Sequence, residues 1–522
     1  MASPVFAQPD SVSDRLRAHV EFLADPHLRG RLPGTPGYDL ATLYVADQFR
    51  AMGLVPAGPD GGWFQPVPMR AATTMPGAVA LSVARNGERH SLNFPGDFYR
   101  PPDLVHEQSA VTAPMAFVGY GVDAPALGHL DYAEIDVTDK VAVMLAGYPE
   151  TLAGEAGAHF GTRQHKLETA AAHGAVGVII IFTPLNEAVT DWSALSRQVD
   201  APAMGSMRPD GGIDGVARGL RGVATVHHEA AGVLFEGSAH ALATLIEADR
   251  EGRELPVFTL DGEVEMTQRS HHQPMRSANV AAMVPGTDPV LARDLVVYVA
   301  HLDHIGVRPG PDGELQVHGG ALDNAAGVAV MLEAARRFNA RPARRSVVFL
   351  AATAEEAGLV GSNWYARHPS PVGHRVAAVI NLDMPVLLYD FTAVVAWGGQ
   401  RSSLGDAVAV AAAEMGITVT EDPFPALNIF TRSDHYPFVR QGVPAVFLAP
   451  GPGALGGTNR EIYRHFMRHD YHAPGDNADQ AIDYGAAARF TRLAWRAGDI
   501  VAGQAARPRW RDGDFFGETF KR

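Results

Sequence analysis

The chain has 522 residues, of which 46% are hydrophobic, so it is long enough to form two or three domains with buried cores. Its formal net charge of −15 and its lack of long lysine or arginine runs argue against a nucleic-acid partner, and no stretch approaches the roughly 18 consecutive apolar residues of a membrane span. The absence of cysteine excludes disulfides, thiolate metal ligands and a cysteine nucleophile, which leaves nitrogen and oxygen ligands for any metal.

The first residues, Met1–Pro9, place Val5, Phe6 and Ala7 directly before a polar stretch. This pattern resembles the tail of a signal peptide without its apolar part, and it predicts a periplasmic or secreted protein. An ordinary frayed N-terminus explains the same residues, so both interpretations stay open at this point.

Residues 11–56 predict two helices around the Gly/Pro-rich loop 29–37. The second helix has one apolar face, which comprises Ala41, Val45, Phe49 and Met52. Gly53 suits the C-terminal cap of this helix. Because its apolar residues recur at helical spacing, we expect the helix to pack on a sheet.

Residues 111–262 have a different pattern, since short runs that predict β-strands, such as Ala116–Val122 and Val141–Leu145, are separated by Gly, Pro and Asp clusters. Lys166–His173 predicts a helix, and the continuous apolar run Val176–Phe182 predicts a buried strand after it. The pattern therefore predicts three parts of the chain: residues 1–110, an inserted β-rich domain of residues 111–262, and residues 263–522.

Residues 263–522 alternate apolar strands with amphipathic helices, which predicts an α/β fold with a mostly parallel central sheet sandwiched by helices. The predicted strands are Leu295–Ala300, Val347–Thr353, Val376–Leu382 and Ala445–Leu448. A helix is predicted between the first two strands, from Ala325 to Phe338.

Polar residues of metal-ligand type follow three of these strands, and open α/β sheets bind ligands at the carboxyl ends of their strands. Similar residues open the predicted helix and lie in a downstream loop. The segments are His301-Leu302-Asp303-His304, Ala354-Glu355-Glu356, Asp383, Leu322-Asp323-Asn324 and Tyr471-His472. Each residue alone has a structural explanation, such as a surface histidine, a solvated glutamate or a helix-capping aspartate. Together they supply the ligands of a two-metal hydrolase.

The chain resembles a known family in segments that occur in the family's order and spacing: HLDH, GALDNAAG, AEE, NLD, RSDH and YHAPGD. The family comprises the di-zinc aminopeptidases related to glutamate carboxypeptidase and the transferrin receptor. The loop GRLPGTPG also fits, and the stretch from FVGYGV to DVTDKVAVML resembles a protease-associated domain. The resemblance covers nearly the whole chain, and it implies a zinc exopeptidase fold of the bacterial branch that carries a protease-associated insert.

The resemblance also implies which residues bind metal. His301 and Asp383 would hold one zinc ion, and Glu356 and His472 would hold a second. Asp323 would bridge the two ions, so the implied cofactors are two Zn²⁺ per chain, roughly 3.5 to 4 Å apart and sharing a water.

Four further side chains have implied or expected roles beside the metal ligands. Glu355 would be the general base, and Tyr471 would donate to the oxyanion, with a packed aromatic as the alternative for Tyr471. Asp303 could orient the imidazole of His301, or simply cap a turn. Arg432 could bind a substrate carboxylate, or form a structural ion pair. Supporting or surface roles are expected for the remaining histidines of these segments and loops: His304, His435, His465 and His469.

The leading hypothesis is a zinc-dependent exopeptidase, and within that class an aminopeptidase whose partners are peptide substrates. A carboxypeptidase is the close alternative, because relatives with the same ligands cleave C-terminal glutamate, but that branch needs an array of basic residues and here only Arg432 stands out near a motif. A glutaminyl cyclase, a single-zinc relative, fits the complete ligand set less well. A receptor on the same scaffold, without catalysis, is the alternative outside the enzymes.

Overall fold

The computed structural model describes residues 11–152, 154–196, 199–310, 312–453 and 457–521. The chain divides into two compact units, and unit 1 comprises Met1–Val67, Arg276–Phe424 and Arg432–Arg522. Unit 2 comprises Pro68–Met275 and Pro425–Thr431. The segment Met1–Pro9, on which the expectation of export depends, lies outside the described residues.

Unit 1 is built on a mostly parallel sheet. In order across the sheet, its strands are Thr418–Thr420, Ala393–Trp397, Ala445–Pro450, Arg375–Asn381, Asp294–His301, Ser346–Ala352, residues 280–284 of Val257–Val284, and Val55–Pro56. The central pairs are parallel, whereas residues 280–284 run antiparallel to their neighbour, as does Ala393–Trp397 to Ala445–Pro450. A short hairpin of Val307–Pro309 and Leu315–Val317 lies outside this sheet.

Helices supply the other layers of unit 1. Its α-helices are Val12–Leu23, Pro36–Met52, Ala326–Ala340, Val360–Arg367, Leu404–Ala413, Tyr436–Val439, Thr458–His469, Tyr484–Gly503 and Phe515–Thr519. Every residue of the central strand Asp294–His301 is buried, which agrees with a sheet covered on both faces. The α/β fold class predicted from the sequence is confirmed.

The predicted elements of unit 1 agree closely with the observed ones. The apolar face predicted for Pro36–Met52 is buried, and the helix ends at Gly53, which adopts a left-handed φ of 82°. The predicted helix from Ala325 begins as an α-helix at Ala326. A single wide turn, Ala321–Ala325, precedes that helix and carries Asp323.

Unit 2 has a parallel core of its own. Its central strands are Gln108–Val118, Val141–Leu145, Gly177–Phe182 and Gly222–His227, which run parallel to one another in that order. Its other strands are Phe64–Arg85, most of Val257–Val284, Glu88–Ser91, Phe98–Tyr99, Asp123–Ala124, His129–Leu130 and Ala203–Ser206. Its α-helices are Glu155–Gly161, Arg163–Ala172, Pro184–Glu187, Trp192–Ser196 and Leu242–Arg250. The unit therefore combines strands with helices.

Unit 2 begins at Pro68, so it also includes residues 68–110, which the sequence pattern placed with the first part of the chain. The reason is the long strand Phe64–Arg85, which pairs with Glu88–Ser91 and Ala203–Ser206. A smaller correction concerns the strand predicted at Ala116–Val122. It ends at Val118, because Gly119 and Gly121 adopt positive φ and turn the chain.

A buried lysine marks the core of unit 2. Lys166 lies on the helix Arg163–Ala172, and its Nζ donates to the backbone oxygens of Tyr120 and Leu145. Burial lowers the pKa of the Lys166 ammonium to about 7, although the carboxylates of Asp131 and Asp249 oppose this shift. In the unfolded chain the pKa of a lysine is about 10.4. Between about pH 7 and about pH 10.4 the folded chain therefore binds fewer protons than the unfolded chain, so the free energy of unfolding rises with pH over this range.

We therefore expect the pH dependence of stability to change in Lys166→Met. The melting temperature of the wild type, relative to that of the variant, should rise between about pH 7 and about pH 9.5. Circular dichroism melts at the two pH values measure this difference. Lys140→Met is the matched control, because Lys140 donates to the oxygen of Asp136 at an exposed position of the same unit. A difference that does not vary with pH would contradict the prediction.

Candidate metal centre

The ligands implied by the sequence meet at one edge of the unit 1 sheet. His301 ends its strand, and the neighbouring parallel strands Ser346–Ala352 and Arg375–Asn381 lead directly to Glu356 and Asp383. Because parallel strands end at the same edge, these three side chains lie together. Asp323 and His472 reach the same place from two loops.

The five side chains form two histidine–carboxylate pairs around Asp323. On one side, the Nε2 atom of His301 lies 3.0 Å from Asp383 Oδ1 and 3.2 Å from Asp323 Oδ1. On the other side, the Nε2 atom of His472 lies 3.0 Å from Glu356 Oε2 and 3.2 Å from Asp323 Oδ2. The two oxygens of Asp323 thus face different histidines, which is the geometry of a bridging carboxylate.

His304 also belongs to this cluster. Its Nδ1 atom lies 2.7 Å from Glu356 Oε1 and 3.9 Å from Asp323 Oδ2, and the side chain is completely buried. A supporting or surface role was predicted for His304, and the structure places it inside the site. No local signal in the sequence separates His304 from the other histidines near the motifs.

Asp303 fixes the loop that carries both glutamates. Its carboxylate accepts the backbone N–H groups of Glu355, at 3.0 Å, and of Glu356, at 3.3 Å. Asp303 was also predicted to orient the His301 imidazole. In the structure its backbone oxygen makes this contact, 3.2 Å from Nδ1 of His301, whereas its carboxylate lies 3.9 Å from the same atom. Because Nδ1 faces this backbone oxygen, Nε2 is the nitrogen that faces Asp323 and Asp383.

Other polar residues hold the loops of Asp323 and Asp383. Asp476 accepts the backbone N–H of Leu322 at 2.8 Å and that of Asp323 at 2.9 Å. Ser433 donates its hydroxyl to Asp383 Oδ2 at 2.5 Å. Asp476 and Ser433 lie within the YHAPGD and RSDH motifs, but nothing local to either residue indicates these long-range contacts.

Arg31, in the GRLPGTPG loop, ties together the backbone around the cluster. Its buried guanidinium donates to the carbonyl oxygens of Leu23, Leu302, Gly319 and Gly320 over 2.5 to 3.0 Å. Leu302 follows the predicted ligand His301, and Gly320 precedes the turn that carries Asp323. The Arg31 side chain therefore supports the two segments that carry these predicted ligands.

Arg31→Lys should destabilise the protein by about 1.5 to 3 kcal/mol, because a single ammonium cannot reach all four carbonyls and each unpaired group stays buried. Urea denaturation followed by circular dichroism measures the change in the free energy of unfolding. Arg29→Lys is the control, since Arg29 lies two residues away in the same loop but is exposed. Equal stability of the two variants would contradict the supporting role of Arg31.

Burial shifts the pKa of two of the predicted catalytic side chains, Glu355 and Tyr471. Burial raises the pKa of Glu355 well above its usual value, and the nearby carboxylates of Asp383 and Glu356 add to the shift despite the opposing charge of His301. Burial also raises the pKa of Tyr471 well above 10, and its ring stacks on that of His472 at 4.0 Å. Tyr471 thus keeps its proton at neutral pH and can donate a hydrogen bond.

The remaining candidates lie around this cluster or outside it. Arg432 is exposed, and its charge opposes the rise in the pKa of Tyr471. His435 is buried, with Nδ1 at 3.3 Å from Asn381 Nδ2, whereas His465 and His469 contact each other on the helix Thr458–His469.

Three of the non-glycine residues with positive φ angles lie at the same place. Ala354, Met384 and His472 have φ values of 53°, 40° and 54°. Ala354 and Met384 lie within two residues of a predicted ligand, and His472 is itself a predicted ligand. Such conformations are strained for residues with a Cβ, and they persist only where the surrounding contacts impose them. Strain of this kind is concentrated at functional sites, in agreement with the convergence of the side chains.

Residues 279–497 match Peptidase family M28. Over 156 residues the chain is 31% identical to Aminopeptidase YwaD of Bacillus subtilis (strain 168), a match that spans 29% of this chain and 30% of that protein. Over 227 residues it is 25% identical to the probable leucine aminopeptidase 2 of Aspergillus oryzae, covering 41% of this chain and 42% of the relative. The chain thus spans less than half the length of these curated relatives.

A solved structure supports the fold. The aminopeptidase from Aneurinibacillus sp. strain AM-1 aligns with 95% of this chain and 95% of its own, at a TM-score of 0.54 and 21% sequence identity. The two chains therefore share a fold.

Proposed function

We propose that this chain, whose residues 279–497 form a Peptidase family M28 domain, is a zinc-dependent aminopeptidase that removes N-terminal residues from peptides. The observation that carries the proposal is the pair of histidine–carboxylate contacts around Asp323, at 3.0 to 3.2 Å. The two curated relatives that the chain resembles are also named aminopeptidases.

The donor atoms fit zinc. Imidazole nitrogens and carboxylate oxygens bind Zn²⁺ at about 2.0 to 2.2 Å, so ligand atoms around a tetrahedral ion lie about 3.3 Å apart. The observed separations of 3.0 to 3.2 Å are close to that value. We assign His301 and Asp383 to one ion, Glu356 and His472 to the other, and Asp323 to both. Two bound zinc ions would lower the pKa of a shared water and polarise the scissile carbonyl.

The protein's own groups then move the proton and stabilise the developing charge. Glu355 accepts a proton from the attacking water at a carboxylate oxygen and returns it to the leaving amine. The Tyr471 hydroxyl donates a hydrogen bond to the carbonyl oxygen as it becomes negative. The carboxylates near Glu355 also favour a cationic N-terminal amine, whereas a carboxypeptidase would need several basic groups, of which the motifs supply only Arg432.

Two blocked peptides of the same sequence test this proposal. A peptide with a free N-terminus and an amidated C-terminus should be shortened from its N-terminus, and a chelator should stop the reaction. The N-acetylated peptide with a free C-terminus should remain intact. Cleavage of only the acetylated peptide would support the carboxypeptidase, and cleavage of neither by zinc-loaded protein would support a receptor on the same scaffold.

Two further parts of the proposal concern organisation and location. We assign residues 111–262, which fall within unit 2, to a protease-associated domain on the resemblance of the stretch from FVGYGV to DVTDKVAVML. We also propose a periplasmic or secreted protein, on the residues Val5 to Ala7. Cell fractionation with an antibody against the protein tests the location.

A further inference from the structure

Unit 2 contains a second cluster of metal-ligand type at the carboxyl ends of two adjacent strands. The parallel strands Gly177–Phe182 and Gly222–His227 end side by side, with His227 opposite Phe182. His228 follows directly, and Glu187 ends the short helix that comes after the first strand. This is the same kind of edge at which open α/β sheets bind ligands.

The three side chains converge on one point. The Nε2 atom of His228 lies 2.9 Å from Glu187 Oε2, and the Nε2 atom of His227 lies 3.3 Å from the same oxygen. The three ligand atoms all lie within 4.8 Å of one another. The two histidine–carboxylate separations are close to the roughly 3.3 Å expected between ligand atoms that are about 2.0 to 2.1 Å from a tetrahedral zinc.

The surroundings of His227 resemble those of a metal-binding histidine. Its Nδ1 atom lies 3.8 Å from a carboxylate oxygen of Glu229, while its Nε2 atom faces Glu187. The ring contacts Trp192 at a centroid distance of 5.0 Å, and the indole of Trp192 is fixed by its hydrogen bond to the Gly96 oxygen. His227 is buried while the side chain of Glu187 is 39% exposed, so one side of the cluster is open to water.

We propose that Glu187, His227 and His228 bind one divalent transition-metal ion, with Zn²⁺ as the best match to two imidazoles and a carboxylate. Water completes the coordination at the exposed side. This site uses none of the residues assigned to catalysis, and the proposal does not depend on the aminopeptidase activity. The competing explanation is an ion pair of Glu187 with protonated histidines, which would bind no metal.

Titrating Zn²⁺ into the holoenzyme, with bound metal counted by mass spectrometry after removal of free ions, tests the site. The wild type should bind one more Zn²⁺ per chain than His227→Gln/His228→Gln. Glu187→Gln is the variant that changes the fold least. It should lower the affinity for this additional ion by at least the roughly 10- to 100-fold that is lost when a partner of a metal ligand is removed. His173→Gln is the matched control, because His173 pairs with the single carboxylate of Asp123 in the same unit.

Peptide hydrolysis should be unchanged in all three variants, because none of them touches the unit 1 centre. The expected difference of one ion between the wild type and the double variant does not depend on how many ions unit 1 holds. The experiment therefore tests this site whether or not the protein is an aminopeptidase. An equal zinc content in the wild type and the double variant, or an equal loss in the His173 control, would overturn the site. If the double variant fails to fold, the affinity measured for Glu187→Gln decides, and unchanged affinity there overturns the site as well.

Discussion

Replacing Glu355 by glutamine should lower kcat for peptide hydrolysis by about 10²- to 10⁴-fold while the zinc content stays the same. Glutamine has the shape of glutamate but cannot accept the proton of the attacking water. Glu355 makes none of the histidine contacts that define the cluster, and its backbone N–H is held by Asp303 whatever the side chain. Steady-state kinetics on an aminoacyl-p-nitroanilide, with metal analysis of the same sample, measures both quantities.

The adjacent glutamate provides the contrast. Glu356 contacts His472 at 3.0 Å and His304 at 2.7 Å, so Glu356→Gln should lose zinc as well as activity. The two variants differ by one position in the chain and change the same chemical group. If Glu355→Gln loses zinc to the same extent as Glu356→Gln, Glu355 is a metal ligand and the assignment of the base is wrong.

The parts of the fold that could be predicted are those with a strong local pattern. The strands Asp294–His301 and Ser346–Ala352 contain the continuous apolar runs Leu295–Ala300 and Val347–Ala352, and the helix Pro36–Met52 has one apolar face and a glycine after its last residue. The strand Phe64–Arg85 has no such pattern, because prolines interrupt it, and proline is rare inside strands. Its pairing partners are distant in sequence, so the start of unit 2 could not be predicted from residues 68–110 alone.

The residues of the candidate site also fall into two groups, those that a local sequence pattern reveals and those that it does not. The motifs that surround His301 and Asp323 can be identified in the sequence, because ligand residues lie beside strand ends and glycines. The supporting contacts cannot be identified in this way, because they join residues that are distant in sequence. Asp476 accepts the backbone N–H of Asp323, 153 positions away, and Arg31 donates to the Gly320 oxygen, 289 positions away. His304 illustrates the limit most clearly: only its burial against Glu356 distinguishes it from a surface histidine.

Asp323→Asn should remove both zinc ions and abolish hydrolysis, because an amide has only one oxygen and cannot serve two ions. In the structure the two carboxylate oxygens lie 3.2 Å from the Nε2 atoms of different histidines, so each oxygen belongs to a different half of the site. Zinc content after gel filtration, together with kcat, measures the result. Asp479→Asn, at an exposed aspartate of unit 1, is the control for the charge change.

The bridging role is tested by comparison with the terminal ligands. His301→Ala removes a side chain that serves one ion, so it should reduce the zinc content by one ion and leave the half formed by Glu356 and His472 occupied. His472→Ala should do the converse. Because Asp323 contacts both halves, its variant should lose more metal than either histidine variant. Equal losses in all three would show that the two halves are occupied only together, and retention of both ions in Asp323→Asn would exclude the bridge.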